Sequence, residues 1–279
     1  MALNKLGRKD FALAVKTGGN ANDQLKFAKE ASRGELFFNS NDNKLYIAST
    51  DAGAGDATLK EIQLSDTAVP FVNNYSLGLD GVDDYATLDS TFSSITGDKS
   101  ITGWFRFDNT SQNAVFGNTA SQYGWLFWAS NTIFFRTSAA TNNFTLSTTL
   151  ATNTWYHIAF TGDGTTLKCY INGTQEGGDK TDGNWSIGDF FRGGTSYYFD
   201  GDVDEIGLWT GTELSASNVL AIANTGAGSG SKAVDLDAYT GLTHWWRFGD
   251  GDSGTTVTDN KGSNNLTLVN GPTFVSQTP

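Results

Sequence analysis

The 279-residue sequence predicts an all-β fold, a two-sheet antiparallel sandwich preceded by a small N-terminal β module. Three observations carry this expectation. The composition holds 33 Gly, only 3 Pro and 13% aromatic residues, as numerous short strands joined by polar turns require. About a dozen short apolar runs alternate with Gly, Asn, Asp and Ser turn signals. Only one segment has convincing helical spacing.

Taken in order, residues 1–66 read as a separate module. Residues 9–15 fit a strand, residues 22–31 a short polar helix or loop. Residues 34–38 and 44–48 fit a hairpin closed by Asn39-Ser-Asn-Asp-Asn43, because Asn and Asp tolerate the turn conformations that close it. After the glycine-rich loop at 51–56, residues 58–64 fit a further strand, and Pro70 marks a junction. The domains are therefore 1–66 and 67–279. A module this short does not support its own core, so it is expected to fold against a partner copy, as in a homo-oligomer such as a trimer, or against a larger assembly.

From residue 75 the predicted strands are 75–79, 85–88, 100–107, 124–128, 132–136, 144–147, 155–161, 167–171, 197–209, 242–248 and 266–269. Alternation in Leu167-Lys-Cys-Tyr-Ile171 places Leu167, Cys169 and Ile171 on one face, which makes Cys169 a buried small hydrophobe. Residues 215–226 fit the helix: Ser215 caps it, Val219, Leu220 and Ile222 share a stripe, and Gly226 ends it.

Charge and composition exclude several functions. The first 66 residues balance 9 Lys+Arg against 9 Asp+Glu, so the whole net charge of −12 falls on 67–279. Such a field repels nucleic acid and leaves cations, neutral polymers or basic protein surfaces as partners. One cysteine excludes an internal disulfide, and two histidines exclude a Cys/His zinc site. No run of 18 apolar residues and no signal-type N-terminus is visible, so neither membrane insertion nor conventional secretion is expected.

Four motifs follow one another: Leu77-Gly-Leu-Asp-Gly-Val-Asp-Asp-Tyr85, Ser100-Ile-Thr-Gly-Trp-Phe-Arg-Phe107, the Trp155 to Gly173 hairpin, and Phe199-Asp-Gly-Asp-Val-Asp-Glu-Ile-Gly-Leu-Trp209 leading to Leu214-Ser-Ala-Ser-Asn218. Together they resemble the laminin G-like group of the concanavalin A-like lectin and glucanase superfamily. The resemblance implies a jelly roll of two curved antiparallel sheets. One departure is that residues 242–271 resemble a piece that often opens such domains yet here close the chain, leaving strand order near the termini open. The N-terminal hairpin is similar to short hairpins in structural proteins of tailed bacteriophages. That similarity implies a virion protein whose partners are other virion proteins, either a tail fibre or similar appendage, or a capsid decoration protein.

Candidate site residues fall into three groups. Asp200, Asp202, Asp204 and Glu205 form a carboxylate row of the kind a retaining glycosidase needs, with two carboxyls about 5–5.5 Å apart on an open cleft. However, simple alternation puts Asp204 on the face of Ile206 and Leu208, toward the core, so the row is read as scaffold and the protein as non-enzymatic, with a polysaccharide-degrading hydrolase as the alternative. No cofactor is expected except calcium, for which Asp80, Asp83, Asp84, Asp200, Asp202, Asp250 and Asp252 supply oxygens, Asp83, Asp200 and Asp202 foremost. Tyr123, Trp125, Trp128, Trp185, Tyr197 and Tyr198 are the aromatic candidates for stacking on a host-surface glycan. His157 and His244 read as hydrogen-bonded packing residues.

Overall fold

The computed structural model describes residues 71–111, 113–117, 131–194, 197–225 and 232–279 in full, and residues 14–16, 36–39, 44–48, 59–62 and 124–128 as strand backbone. The chain divides into two units, Met1–Pro70 and Phe71–Pro279. In the first, β1 (Ala14–Lys16), β2 (Leu36–Asn39), β3 (Lys44–Ala48) and β4 (Leu59–Ile62) form one sheet in chain order. The β2–β3 pair is the antiparallel hairpin, whereas β1 runs parallel to β2. The expected helix or loop at 22–31 lies outside the described residues.

The second unit holds two eight-stranded sheets. The first runs, in spatial order, β11 (Thr141–Thr145), β10 (Thr132–Arg136), β9 (Gly124–Trp128), β8 (Asn113–Gly117), β15 (Trp185–Phe190), β6 (Tyr85–Ile95), β21 (Leu266–Val269), β20 (Thr256–Val257). The second runs β14 (Thr174–Thr181), β13 (Thr166–Ile171), β12 (Trp155–Gly162), β7 (Lys99–Phe107), β18 (Asp200–Thr210), β5 (Ser76–Asp80), β22 (Thr273–Val275), with β19 (His244–Trp246) also paired to β18. A short ribbon, β16 (Arg192–Gly193) and β17 (Tyr197–Tyr198), stands beside them. The chain-closing segment thus supplies strands next to the earliest ones: β21 pairs β6 and β22 pairs β5. This resolves the strand order that the sequence left open.

The sandwich is held by one large apolar layer between the sheets. Phe105, Phe107, Ile158, Phe160, Cys169, Val203 and Leu208 from one sheet meet Phe116, Phe135, Phe144, Trp185, Ile187 and Leu266 from the other. Aromatic edges interlock there, as in the Phe135–Phe160 contact at 4.6 Å between ring centres. Burial of Cys169 pushes its thiol up, as expected of a packing residue.

The second sheet is buried on its other face too. Ala159, Tyr170 and Trp209, alternating with core residues, join Leu214, Val219, Ile222, Leu236, Leu242 and Trp245 in a second apolar cluster beneath the helix α1 (Ala216–Ala223). Ser215 accepts from Asn218 N–H as the N-cap. The helix ends at Asn224 in the left-handed region (φ 43°), earlier than the Gly226 stop expected. Leu220 is exposed, so the stripe is Val219, Ile222 and Ala223; at 100° per residue Leu220 points away from that face.

Candidate functional site

The acidic strand β18 carries a bulge that decides where its carboxylates go. Glu205 sits at φ 49°, and the register with β7 shifts between Asp204 and Gly207. An extra residue advances the alternation by one, so Val203 and Ile206 both enter the core between the sheets. Asp204 consequently lies opposite Ile206 and Leu208, which corrects the expectation that they share a face. The start of the strand is pinned by Gly201, where φ is 137° and an added Cβ would collide with the Arg106 carbonyl.

All three inner acids are covered and committed to protein partners. Asp202 accepts from Arg106 Nη1 at 2.6 Å, yet burial outweighs that guanidinium and raises its pKa. Asp204 is 0% exposed and accepts from Asn73 Nδ2 at 2.8 Å. Glu205, 3% exposed, accepts from Trp245 Nε1 at 2.5 Å and Arg247 Nε at 3.1 Å. Burial pushes both carboxyls up, Glu205 to about 8, with Glu205 also raising Asp204, while Arg247 and Trp245 pull Glu205 down. Both groups are enclosed by the protein.

The histidines separate by partner. His157 is wholly buried against Trp104, ring centres 5.3 Å apart, and its ring nitrogens make no hydrogen bond among the described residues. That corrects the expected hydrogen-bonded role; burial drives its pKa down to about 3, keeping the ring neutral. His244 Nδ1 meets Asp259 Oδ2 at 2.6 Å.

The open chemistry lies at one end of the sandwich, where β5 meets β18 at the Asp80–Asp200 register pair. The turn after β5 brings ligand oxygens of Asp80, Asp83 and Asp84 within 4.8 Å of one another, and Asp80 and Asp83 are exposed. Asp80 Oδ1 accepts from Val82 N–H at 2.8 Å, an Asx turn that holds the loop. Burial raises the Asp84 pKa, and the neighbouring charges of Asp80 and Asp83 add to it, against the Asp80 backbone N–H. This trio has the oxygen chemistry of a calcium site. Of the foremost candidates only Asp83 belongs to it: Asp202 is tied to Arg106, and Asp200 accepts from Asn109 Nδ2. Asp250 and Asp252 also hold backbone N–H groups.

Beside this turn, the Arg192 guanidinium lies 3.9 Å from the Tyr85 ring centre and donates to Asp189 at 2.9 Å. Arg192 is the register partner of Tyr198 and Gly193 of Tyr197, and both tyrosines are half-buried. Tyr197 and Tyr198 thus keep partial exposure in the short ribbon that also carries Arg192. Arg192 and Asp189 were not legible in sequence, since nothing local links residue 85 to residue 192. Trp185, in contrast, is a core residue: it is 1% exposed, its indole N–H donates to Asp182 at 2.9 Å, and the Lys99 ammonium lies 5.0 Å from its ring centre. That corrects its assignment as a stacking surface. Trp125 and Trp128 are register partners of Phe135 and Thr132, and Tyr123 lies outside the described residues.

The sequence profile of the concanavalin A-like lectin/glucanases superfamily matches residues 80–220, just over half of the chain. No curated protein sequence gives a match. Among solved structures, a candidate carbohydrate-binding protein from Bacteroides ovatus superposes with a TM-score of 0.56 at 15% identity, over 88% of this chain and 70% of that one. A heptameric SAP-like pentraxin from Limulus polyphemus gives 0.48 at 10% identity, over 70% and 94%. Domain 4 of an extracellular arabinanase from Geobacillus stearothermophilus, solved with arabinotriose, gives 0.37 at 22% identity, over 46% and 66%. At such identities the likeness is one of fold.

Proposed function

The chain belongs to the concanavalin A-like lectin/glucanases superfamily, and we propose that its sandwich is a non-enzymatic, lectin-like head that recognises a surface glycan. One observation carries the reading. Asp202, Asp204 and Glu205 are enclosed by Arg106, Asn73, Trp245 and Arg247, while Asp80 and Asp83 are exposed and Tyr85, Tyr197 and Tyr198 are half-buried. Sugars offer apolar faces to tyrosines and hydroxyls to a bound cation, so that end suits a neutral or cation-bridged glycan.

In the same reading, residues 1–66 attach the head to a phage-type particle and assemble it as a homo-oligomer, in a tail fibre or similar appendage. The support is the N-terminal hairpin and its similarity to phage structural proteins; capsid decoration is the competing position. Immunogold labelling of purified particles separates the two, and absence of label from both places overturns the particle assignment.

The head is tested separately with a glycan array probed by the full chain in calcium and in EDTA. Retained glycans with no sugar released are expected. Release of reducing sugar that disappears in Asp204→Asn would replace this reading with a hydrolase.

A further inference from the structure

Segment 71–74 enters the sandwich without joining any strand, yet each of its four residues is held. The Phe71 ring stacks on Trp245, with centres 6.1 Å apart and planes at 18°. The Val72 carbonyl accepts from Arg247 Nη2 at 2.5 Å. Asn73 donates from Nδ2 to Asp204 at 2.8 Å, and the Asn74 N–H donates to Asp250 Oδ2 at 3.0 Å. These four anchors come from β18, from β19 and from the two groups that follow β19, so they are distant in sequence from the segment and meet it only in the folded sandwich.

Arg247 touches nearly all of them. Its guanidinium lies 4.6 Å from the Phe71 ring centre and 5.1 Å from that of Trp245, its Nε donates to Glu205 at 3.1 Å, and its Nη2 lies 3.7 Å from Asp250. The planar fork reaches a carboxylate on one edge and a backbone carbonyl on another while its face covers an aromatic ring, a combination that a lysine cannot reproduce. Val72 itself is 48% exposed, so the backbone is fastened while the side chain contributes little burial.

We propose that segment 71–74 is a docked strap with Arg247 as its clasp, a joint that fixes where the chain enters the sandwich and that opens as a unit without unfolding the sheets. The inference does not depend on what the head binds. Its physical basis is that the strap is held by one aromatic stack and a few hydrogen bonds to Arg247, Asp204 and Asp250, whereas the sheets are held by the extended apolar core, so the two have separate opening free energies.

Hydrogen exchange and limited chymotrypsin digestion on the full chain test this. In the wild type the Asn74 amide is expected to be protected and cleavage after Phe71 slow. Arg247→Gln and Arg247→Lys should each speed exchange at Asn74 and cleavage after Phe71 by at least about tenfold, the effect of losing one charge-assisted hydrogen bond, while amides of β7 and β12 keep their protection. Asp250→Asn, which keeps the side-chain shape, should loosen the Asn74 amide in the same way and becomes the deciding variant if the Arg247 variants do not accumulate. Unprotected Asn74 in the wild type, unchanged exchange in all variants, or equal loss of protection in strap and sheets would each overturn the proposal.

Discussion

Two sets of acids within this one sandwich behave as different materials. Those at the inner positions, among them Asp182, Asp204, Glu205 and Asp259, are buried, and each accepts from protein donors. Those at the end of the sandwich, Asp80 and Asp83, are exposed, and the Asp80 carboxylate holds the turn between them. The difference is one of solvent: a buried carboxylate must be matched by donors or held protonated, while an exposed one stays available to a cation. Carboxylate density in the sequence therefore does not separate enclosed acids from accessible ones.

The comparison is broken or sharpened most strongly at Asp259. It accepts from His244, from Trp245 N–H at 3.0 Å, Gly262 N–H at 2.8 Å and Asn264 N–H at 3.0 Å. Burial opposes its charge, but His244 and these backbone donors win and bring its pKa to about 2. Asp259→Ala should lose about 3–5 kcal/mol in chemical denaturation, because several buried donors are orphaned at once. A loss below about 1 kcal/mol would place Asp259 with the exposed acids.

Next comes the buried Lys99–Asp182 pair at 2.5 Å, both side chains 0% exposed. Asp182→Ala strands the Lys99 ammonium and the Trp185 indole N–H together, and a loss of about 3 kcal/mol is expected by the same measurement. A neutral result would show that water reaches Lys99.

A smaller effect appears with pH. Glu205 is raised in the folded state from 4.5 to about 8, so the folded protein binds the extra proton and stability falls as pH rises across that interval. His157, lowered from 6.5 to about 3, acts oppositely: stability falls as pH drops from 6.5 toward 3. The two oppose each other between 4.5 and 6.5, and above 6.5 the raised carboxyls of Glu205 and Asp204 leave stability declining as pH rises. Denaturation at stepped pH should show that decline, and Glu205→Gln should reduce it; an undiminished decline in the variant assigns it elsewhere.

The smallest change in stability is expected at the exposed turn. Asp83→Asn should move stability by no more than about 0.5 kcal/mol but weaken calcium uptake in a calorimetric titration. If calcium heat is the same in both proteins, the turn is structural only.

Much of the architecture was legible from local pattern. Strands such as β9, β10, β12 and β13 announce themselves by β-branched and aromatic runs between turn residues. Strands β8, β14 and β15 did not: Thr174–Thr181 is polar and glycine-bearing because it lies at the edge of its sheet, and Trp185–Phe190 follows it with only a short turn between. The candidate site was half legible. The Asp-Gly-Val-Asp-Asp run marked its turn, but the partnership of Tyr85 with Arg192, whose ribbon also holds Tyr197 and Tyr198, depends on residues far apart in sequence.

The sequence by itself determined an all-β sandwich with an acidic larger part and a short N-terminal module, because hydrophobic alternation, turn chemistry and net charge are properties of neighbouring residues and of sums. Only the tertiary structure decided which acids are enclosed. One extra residue at Glu205 reverses the alternation of β18 at that point, and the covering supplied by Asn73, Trp245 and Arg247 comes from remote parts of the chain. Burial is a non-local quantity, and it is burial that encloses most of the most conspicuous acidic motif.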